Sequence, residues 1–498
     1  MKESTLSVPF RILTLNSRGA TPLYKQLYDE LRRAILSGRL KAGTRLPATR
    51  ELAEELRLSR NTVLGAYQQL LAEGYLEGVG GSGTFVARTL PEEMLHVRAT
   101  SSQPTTQNSK SMPLSKRGQK LMEASPNLGD RVFGKPRPFR CATPDYSSFP
   151  FEIWTRLLAK HSRNPSPDLL GYTYPAGYGR LREVIAAYLR SARGVKCEAE
   201  QVIIVPGSQV AFDIASQMLL DSGDTVLIED PGYFGARGVF ARAGLHLAPV
   251  PVDAEGIDIK AIRENRDNAR LVYVTPSFQF PLGVTMSLSR RLELLDWAQQ
   301  SKAWIIEDDC DGEYRYTGRP IPSLQGLDGG QRVIYTGTFS KVLFPSLRIG
   351  YLVAPRDLVD SFVSGRVMTD LHSSTIPQAA LADFIEEGHF ARHLRRMRKQ
   401  YAERQECFVT AAKTELSGLL EIEEREAGMH LIGWLPPSVD DQVAAEATKE
   451  HNLITLPLSA FSLKRLASGG LVLGYTAFNE RQIRAGVRSL KVALSTNG

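Results

Sequence analysis

Six short apolar runs punctuate the second two-thirds of the chain: Val202–Val205, Val226–Ile228, Leu271–Val274, Trp304–Ile306, Val333–Tyr335 and Ile349–Val353. Stretches of helical periodicity separate them. Strands that alternate with helices are joined by crossovers, and crossovers set neighbouring strands parallel. The chain beyond Phe139 is therefore expected to be α/β, a largely parallel sheet wrapped by helices. Sheets of this kind bind ligands beyond the carboxyl ends of their strands, so the residues that follow each run carry the most information.

Those residues are polar and form a pattern. After the first run, Pro206-Gly207-Ser208-Gln209 opens a helix, whose free amides and positive end suit a phosphate. After the second, Glu229-Asp230-Pro231-Gly232-Tyr233 offers a ring able to stack on a planar molecule. After the fourth, Glu307-Asp308-Asp309-Cys310-Asp311 supplies carboxylates. After the fifth comes Gly337-Thr338-Phe339-Ser340-Lys341, with Arg348 seven residues beyond the lysine. A lysine amine forms a Schiff base with an aldehyde, a serine hydroxyl and a guanidinium donate to a phosphate, and a buried carboxylate keeps a pyridine nitrogen protonated. This is the layout of a pyridoxal phosphate anchor. A lone Ser-Lys pair is more often a surface turn, and an acidic run is more often solvated; their joint placement at strand ends reverses both readings.

The amino-terminal part reads differently. Residues 1–140 hold 22 basic against 12 acidic side chains, a net of +10, whereas the remainder holds 39 against 42. The basic excess at the front favours an anionic partner there. Thr21-Pro22 is expected to start a helix, the threonine as cap, with Leu23, Leu27, Leu31 and Ile35 on its buried face. Pro47–Leu56 reads as a second, shorter helix with Leu52 and Leu56 inward. Ser59 caps a third, with Val63, Tyr67, Leu70 and Leu71 on its apolar side and Arg60, Asn61 and Thr62 exposed in its first turn. Gly74–Val86 alternates around a glycine cluster, as a two-stranded hairpin does. A short helix, a turn, a polar-tipped helix and a hairpin make a winged helix-turn-helix. Arg60 suits guanine and Asn61 adenine.

At 498 residues the chain is too long for one core. No apolar run reaches the length of a membrane span, and no signal-like block opens the chain, so a cytoplasmic protein is expected. Cys141, Cys197, Cys310 and Cys407 are far apart, without metal-binding spacing. Between the two parts, Ser, Thr, Gln, Pro and Lys accumulate, as in a flexible tether. The organisation expected is an extension over 1–20, a DNA-binding unit over 21–88, a linker over 89–138 and a large unit over 139–498.

Residues 21–87 resemble the GntR type of winged helix, through Leu46-Pro47, Arg50-Glu51-Leu52-Ala53, Ser59-Arg60-Asn61-Thr62-Val63 and Gly81-Ser82-Gly83-Thr84-Phe85-Val86. That resemblance implies that Arg50, Arg60, Asn61, Thr62 and Gly83 approach double-stranded DNA, Gly83 by its bare backbone. Arg50 has a plainer alternative, a pair with Glu54 on its own helix. Residues 140 to 495 resemble a fold-type-I pyridoxal phosphate aminotransferase with a smaller carboxy-terminal subdomain, and the whole chain is similar to MocR-family transcriptional regulators. Further matches are Tyr172 with Pro175-Ala176-Gly177, Thr275-Pro276-Ser277 with Gln279-Phe280-Pro281, and Leu473-Gly474-Tyr475. The resemblance implies that Lys341 forms the internal Schiff base, Asp308 meets the ring nitrogen and Tyr233 stacks on the ring. Ser208, Gln209, Ser340 and Arg348 would hold the phosphate, with Tyr172 reaching it from the second subunit of a homodimer. It also implies that the protein senses an amine, an amino acid or the cofactor itself. An active aminotransferase tethered to DNA, or a cofactor-free dimerisation module, are the alternatives. Three positions depart from the pattern. Cys310 replaces a tyrosine that bonds the cofactor oxygen, Phe278 stands where histidine is common, and Leu471-Val472-Leu473-Gly474 lacks the arginine with which aminotransferases hold a substrate carboxylate. These departures weaken the expectation of efficient transamination.

Overall fold

The computed structural model describes residues 20–90, 135–264, 269–318 and 321–495, with isolated positions at 15, 16, 114, 115, 118, 119 and 122. The chain divides into two compact units, Met1–Met112 and Pro113–Gly498. Most of the linker expected over 89–138 lies outside the described residues.

The first unit has three helices, α1 (Leu23–Leu36), α2 (Thr49–Leu56) and α3 (Arg60–Ala72), and a hairpin of β1 (Leu76–Val79) and β2 (Gly83–Val86). The predicted apolar stripes meet in one core, Leu27, Leu31 and Ile35 of α1, Leu52 of α2, and Val63, Tyr67 and Leu70 of α3, and Ala66 joins them. Two details differ from expectation. Pro22 rather than Thr21 occupies the cap position of α1, with no side-chain cap: its ψ of 141° keeps it outside the helix, and the Gln26 amide bonds the Thr21 carbonyl at 2.6 Å. Leu71 is exposed, since Ala66 and Leu70 already fill the inward arc of α3. Tyr67 ties α3 to the start of α2, its hydroxyl donating to the Pro47 carbonyl at 3.0 Å.

The second unit is built on an eight-stranded sheet. Its strands are β3 (Val202–Val205), β4 (Thr225–Asp230), β5 (His246–Asp253), β6 (Gly256–Ile257), β7 (Ala269–Val274), β8 (Trp304–Asp308), β9 (Val333–Thr338) and β10 (Gly350–Val353), in the spatial order β3-β10-β9-β8-β7-β4-β5-β6. β9, β8, β7, β4 and β5 pair in parallel. The run Ile349–Val353 is the exception. As β10 it pairs antiparallel with both β3 and β9, because the short connection after Lys341 returns the chain without a crossover helix. β5 was not legible as a strand: Pro249 and Pro251 interrupt it, which a position close to the sheet edge tolerates.

A smaller, wholly antiparallel sheet follows: β11 (Glu421–Ile422), β12 (His430–Trp434), β13 (Leu456–Pro457) and β14 (Gly470–Gly474), in the order β11-β12-β14-β13. The long helix His389–Glu415 packs with it, and the last helix, Glu480–Ser495, packs on that helix. β3, β10 and β9 are buried along their whole length, as their apolar composition requires. Among the described residues, no helix is long and apolar enough to cross a membrane, and no cluster of His, Cys, Asp and Glu has metal-binding geometry.

Candidate nucleic-acid and cofactor sites

In the first unit, the turn into α3 is fixed by Ser59 and Thr62. The Ser59 hydroxyl accepts the Thr62 amide at 3.1 Å, and the two hydroxyls lie 2.8 Å apart. Between them, Arg60 and Asn61 are exposed at the helix start. Arg50 pairs with Glu54 at 3.6 Å while 84% exposed; a pair so solvated is worth little and leaves the guanidinium easy to redirect. Gly83 has φ +115°, and a Cβ there would stand 3.0 Å from Arg45 Nε. The wing thus needs glycine for its own geometry, whatever lies against it. Arg45 was missed in the sequence; it is an exposed cation that bridges to Phe85 and lies over Gly83. Its signal was a basic residue directly before Leu46-Pro47, but only the folded wing brings it to Gly83.

In the second unit, the carboxyl ends of the parallel strands converge on one cleft. Ser208, Tyr233, Tyr273, Thr275, Phe280, Asp308, Cys310 and Lys341 line it, around a space of about 30 Å³. Asp308 ends the central strand β8, and its carboxylate accepts the Tyr273 hydroxyl at 2.8 Å and the Thr336 hydroxyl at 3.3 Å. Alternation along the strand separates the acidic run. Glu307 turns away, accepting the Leu324 and Gln325 amides at 2.9 Å each, 3.7 Å from the buried Arg291. Asp309 also turns away, to Arg193 at 2.7 Å and to the Tyr335 hydroxyl. Asp311, past the strand end, faces Lys341, with 3.8 Å between Oδ1 and Nζ.

Burial dominates the electrostatics. It pushes Asp308 up to about 6, against the Tyr273 hydrogen bond and the Lys341 charge. Burial also disfavours the Lys341 ammonium, but the negative charge of its neighbours, that of Asp311 foremost, outweighs it and holds the lysine well above its ordinary value. The Cys310 thiol is pushed well up by burial and stays protonated at neutral pH. Lys341 Nζ lies 5.3 Å from the centre of the Phe280 ring, and Tyr233 meets that ring edge-on at 5.9 Å.

One corner of the cleft collects donors. Helix Ser208–Leu219 begins there, and its cap, Gly207, has φ +156° and ψ 170°. A Cβ at Gly207 would stand 2.9 Å from Arg348 Nη2, so the bare backbone is what lets the guanidinium approach the helix start. The Ser340 hydroxyl is buried without a hydrogen-bond partner. Gln209, by contrast, donates its side-chain amide to the Tyr233 hydroxyl at 3.2 Å. Tyr172 does not reach the cleft of its own chain: it is 91% exposed, edge-on to His372 at 6.1 Å.

The departures have structural counterparts. Phe278 is buried against two glycines, and a Cβ at Gly428 would lie 2.0 Å from its ring. Val472 is fully buried in β14, in register with Ile432 on one side and Leu456 on the other. Where an arginine would serve a carboxylate, the wall is apolar. Sequence reasoning also passed over Tyr273, Thr336 and Asp311 as site residues; the one visible signal was a phenol inside the otherwise apolar run Leu271–Val274.

Comparison with known proteins agrees with both units. Residues 23–86 match the family described as bacterial regulatory proteins, gntR family, and residues 143–489 match aminotransferase class I and II. The chain is 45% identical to the probable rhizopine catabolism regulatory protein MocR of Rhizobium meliloti, over 98% of this chain and 97% of that protein. It is 30% identical to the pyridoxine biosynthesis transcriptional regulator PdxR of Corynebacterium glutamicum, over 97% and 98%. Among solved structures, it is similar to the α-aminoadipate aminotransferase LysN of Thermus thermophilus, complexed with N-(5'-phosphopyridoxyl)-L-leucine. The TM-score is 0.68 and the identity 29%, covering 77% of this chain and 95% of that one. The kynurenine aminotransferase of Pyrococcus horikoshii, in complex with PMP, gives a TM-score of 0.67 at 27% identity, covering 78% and 95%. The chain belongs to the MocR family of transcriptional regulators, with a GntR-type winged helix followed by an aminotransferase-like unit of fold type I.

Proposed function

We propose that this regulator holds pyridoxal phosphate at Lys341 and controls operator binding according to the amine that meets it there. The observation that carries the reading is the set of donors beside the lysine: the orphaned Ser340 hydroxyl and the Arg348 guanidinium at the start of helix Ser208–Leu219. These fit a phosphate, and Asp308, buried across the cleft, fits a protonated ring nitrogen. When bound, pyridoxal phosphate supplies an aldehyde that condenses reversibly with primary amines. The chain's own residues do the rest. Lys341 holds the group, Asp308 keeps a proton on the ring nitrogen, Tyr233 covers the ring, and Ser208, Ser340 and Arg348 grip the phosphate. Cys310 offers only a weak thiol donor. With Val472 in place of a cation, the site is better suited to sensing than to turnover.

Tyr172 is read as a contribution to the second subunit of a homodimer. Its 91% exposure, with Leu170 and Met368 exposed at 67% and 82%, supports a surface covered by another copy. Two winged helices per dimer, each a 21–88 unit tethered through 89–138 to a 139–498 unit, would read repeated half-sites through Arg50, Arg60, Asn61 and the wing. The test is the absorbance of the purified full chain with added cofactor, beside operator binding with and without amines. Lys341→Ala should abolish the covalent absorbance band and the amine response while operator binding persists. An unchanged amine response in that variant would refute the reading, and rapid keto-product formation would favour an enzyme.

A further inference from the structure

Near Lys341, on the side of the small sheet, lie buried acceptors that no hydrogen bond reaches. Both oxygens of Asp311 are buried and accept no hydrogen bond, although Oδ1 lies 3.8 Å from Lys341 Nζ. His430 is buried too. Its Nε2 is 2.8 Å from the Pro281 carbonyl, which only accepts, so the proton sits on Nε2 and Nδ1 is left as a lone pair. That Nδ1 is also buried without a partner. The two groups belong to one place: Asp311 acts electrostatically on the His430 ring, and Phe280 touches both neighbours, its centre 5.1 Å from His430 and 5.3 Å from Lys341 Nζ. Behind them lie Val472, Ile432, Leu456 and Phe461, all buried and apolar. Two arginines of the adjoining loops hold carboxylates of their own, Arg425 with Glu423 at 3.3 Å and Arg315 with Glu426, with Arg315 Nε left over.

We propose that the ligand sensed at Lys341 is an amine without a carboxylate, bearing a hydroxyl or second ammonium group that donates to Asp311 and His430. The inference rests on the sensing role proposed above and names the chemical class of the ligand. A carboxylate placed there would face another carboxylate and a lone pair in a poorly solvated wall, where the nearby cation, Lys341, is already paired with Asp311. A donor would satisfy atoms that now have no partner, and bonds to a charged acceptor are the stronger kind.

The test uses the full chain loaded with pyridoxal phosphate and matched probes that differ only in the end group: 4-aminobutan-1-ol and 1,4-diaminobutane against 4-aminobutanoate, and 2-aminopropan-1-ol against alanine. Affinities are read from the shift of the cofactor absorbance and, independently, by calorimetry. The donor-ended amines should bind at least about tenfold more tightly than their acid partners. Asp311→Asn should bring that ratio down to about threefold or less, whereas Asp311→Glu should retain its direction. Equal or tighter binding of the acids, or a ratio that survives Asp311→Asn, overturns the proposal while leaving amine sensing intact. If Asp311→Asn does not retain the cofactor, the wild-type ratio alone decides. A loaded protein that responds to no amine at all refutes the sensing role itself, and this proposal with it.

Discussion

Replacing Asp308 by asparagine should have opposite effects on the cofactor-free and cofactor-loaded protein, and the size of the first follows from burial. The folded protein raises this carboxyl from the ordinary 3.8 to about 6. Between those values the folded state keeps a proton that the unfolded chain has released, so stability falls as pH rises through the window. At about 1.4 kcal/mol per pH unit, the folded state is about 3 kcal/mol less stable above pH 6 than it would be with an unperturbed group. About half of that loss falls between pH 5 and 7.5, where the depressed carboxylates Asp309 and Asp383 remain ionised on both sides. Asparagine does not titrate. The stability difference, Asp308→Asn minus wild type, should therefore rise by about 1.4 kcal/mol from pH 5 to 7.5. Urea unfolding followed by tryptophan fluorescence measures it, because Trp154, Trp297, Trp304 and Trp434 all lie in the second unit. With pyridoxal phosphate present, the same variant should retain less cofactor on dialysis, having lost the charge that faces the ring nitrogen. A cofactor-free difference that stays flat with pH, or falls, would refute the argument from burial.

Other perturbations reach other parts of the molecule. Arg60→Ala should weaken operator binding by about 1–3 kcal/mol, roughly five- to 150-fold, in a mobility-shift titration, with specificity relaxed at one base position. Arg45→Ala should weaken all sequences about equally and lower the salt slope by about one, which marks a phosphate contact rather than a base contact. Gly207→Ala forces a side chain into a conformation open almost only to glycine, at a cost of about 1–3 kcal/mol seen in the same urea assay. Because its Cβ also meets Arg348 Nη2 at 2.9 Å, cofactor retention should fall with it.

Much of the candidate site was legible because chemistry and position coincide in this type of sheet. Ser208, Tyr233, Asp308, Ser340 and Lys341 each follow an apolar run, and strands laid parallel bring their carboxyl ends to one edge. The α3 start was legible for a similar reason. A cap, two polar residues and an apolar stripe specify a local geometry in which Arg60 and Asn61 have nowhere to go but outward. Gln209 was legible as a residue near the cleft but not in its partner: only the fold turns its amide to Tyr233.

What local pattern cannot carry is the meeting of side chains distant in the chain. Asp311 and His430 are far apart in sequence, and each alone reads as an ordinary polar residue. Tyr273 likewise looks like one more member of a buried strand until the register of β7 against β8 sets its hydroxyl on Asp308. The periodicity of the sequence thus determined which segments are strands and helices, because that depends on neighbours two to four positions away. Long-range packing decided which carboxylates are silenced by Arg193 and Arg291 and which, like Asp308 and Asp311, are left facing the lysine. Desolvation and charge act through space, and distance in space is what only the closed sheet and its neighbouring subdomain supply.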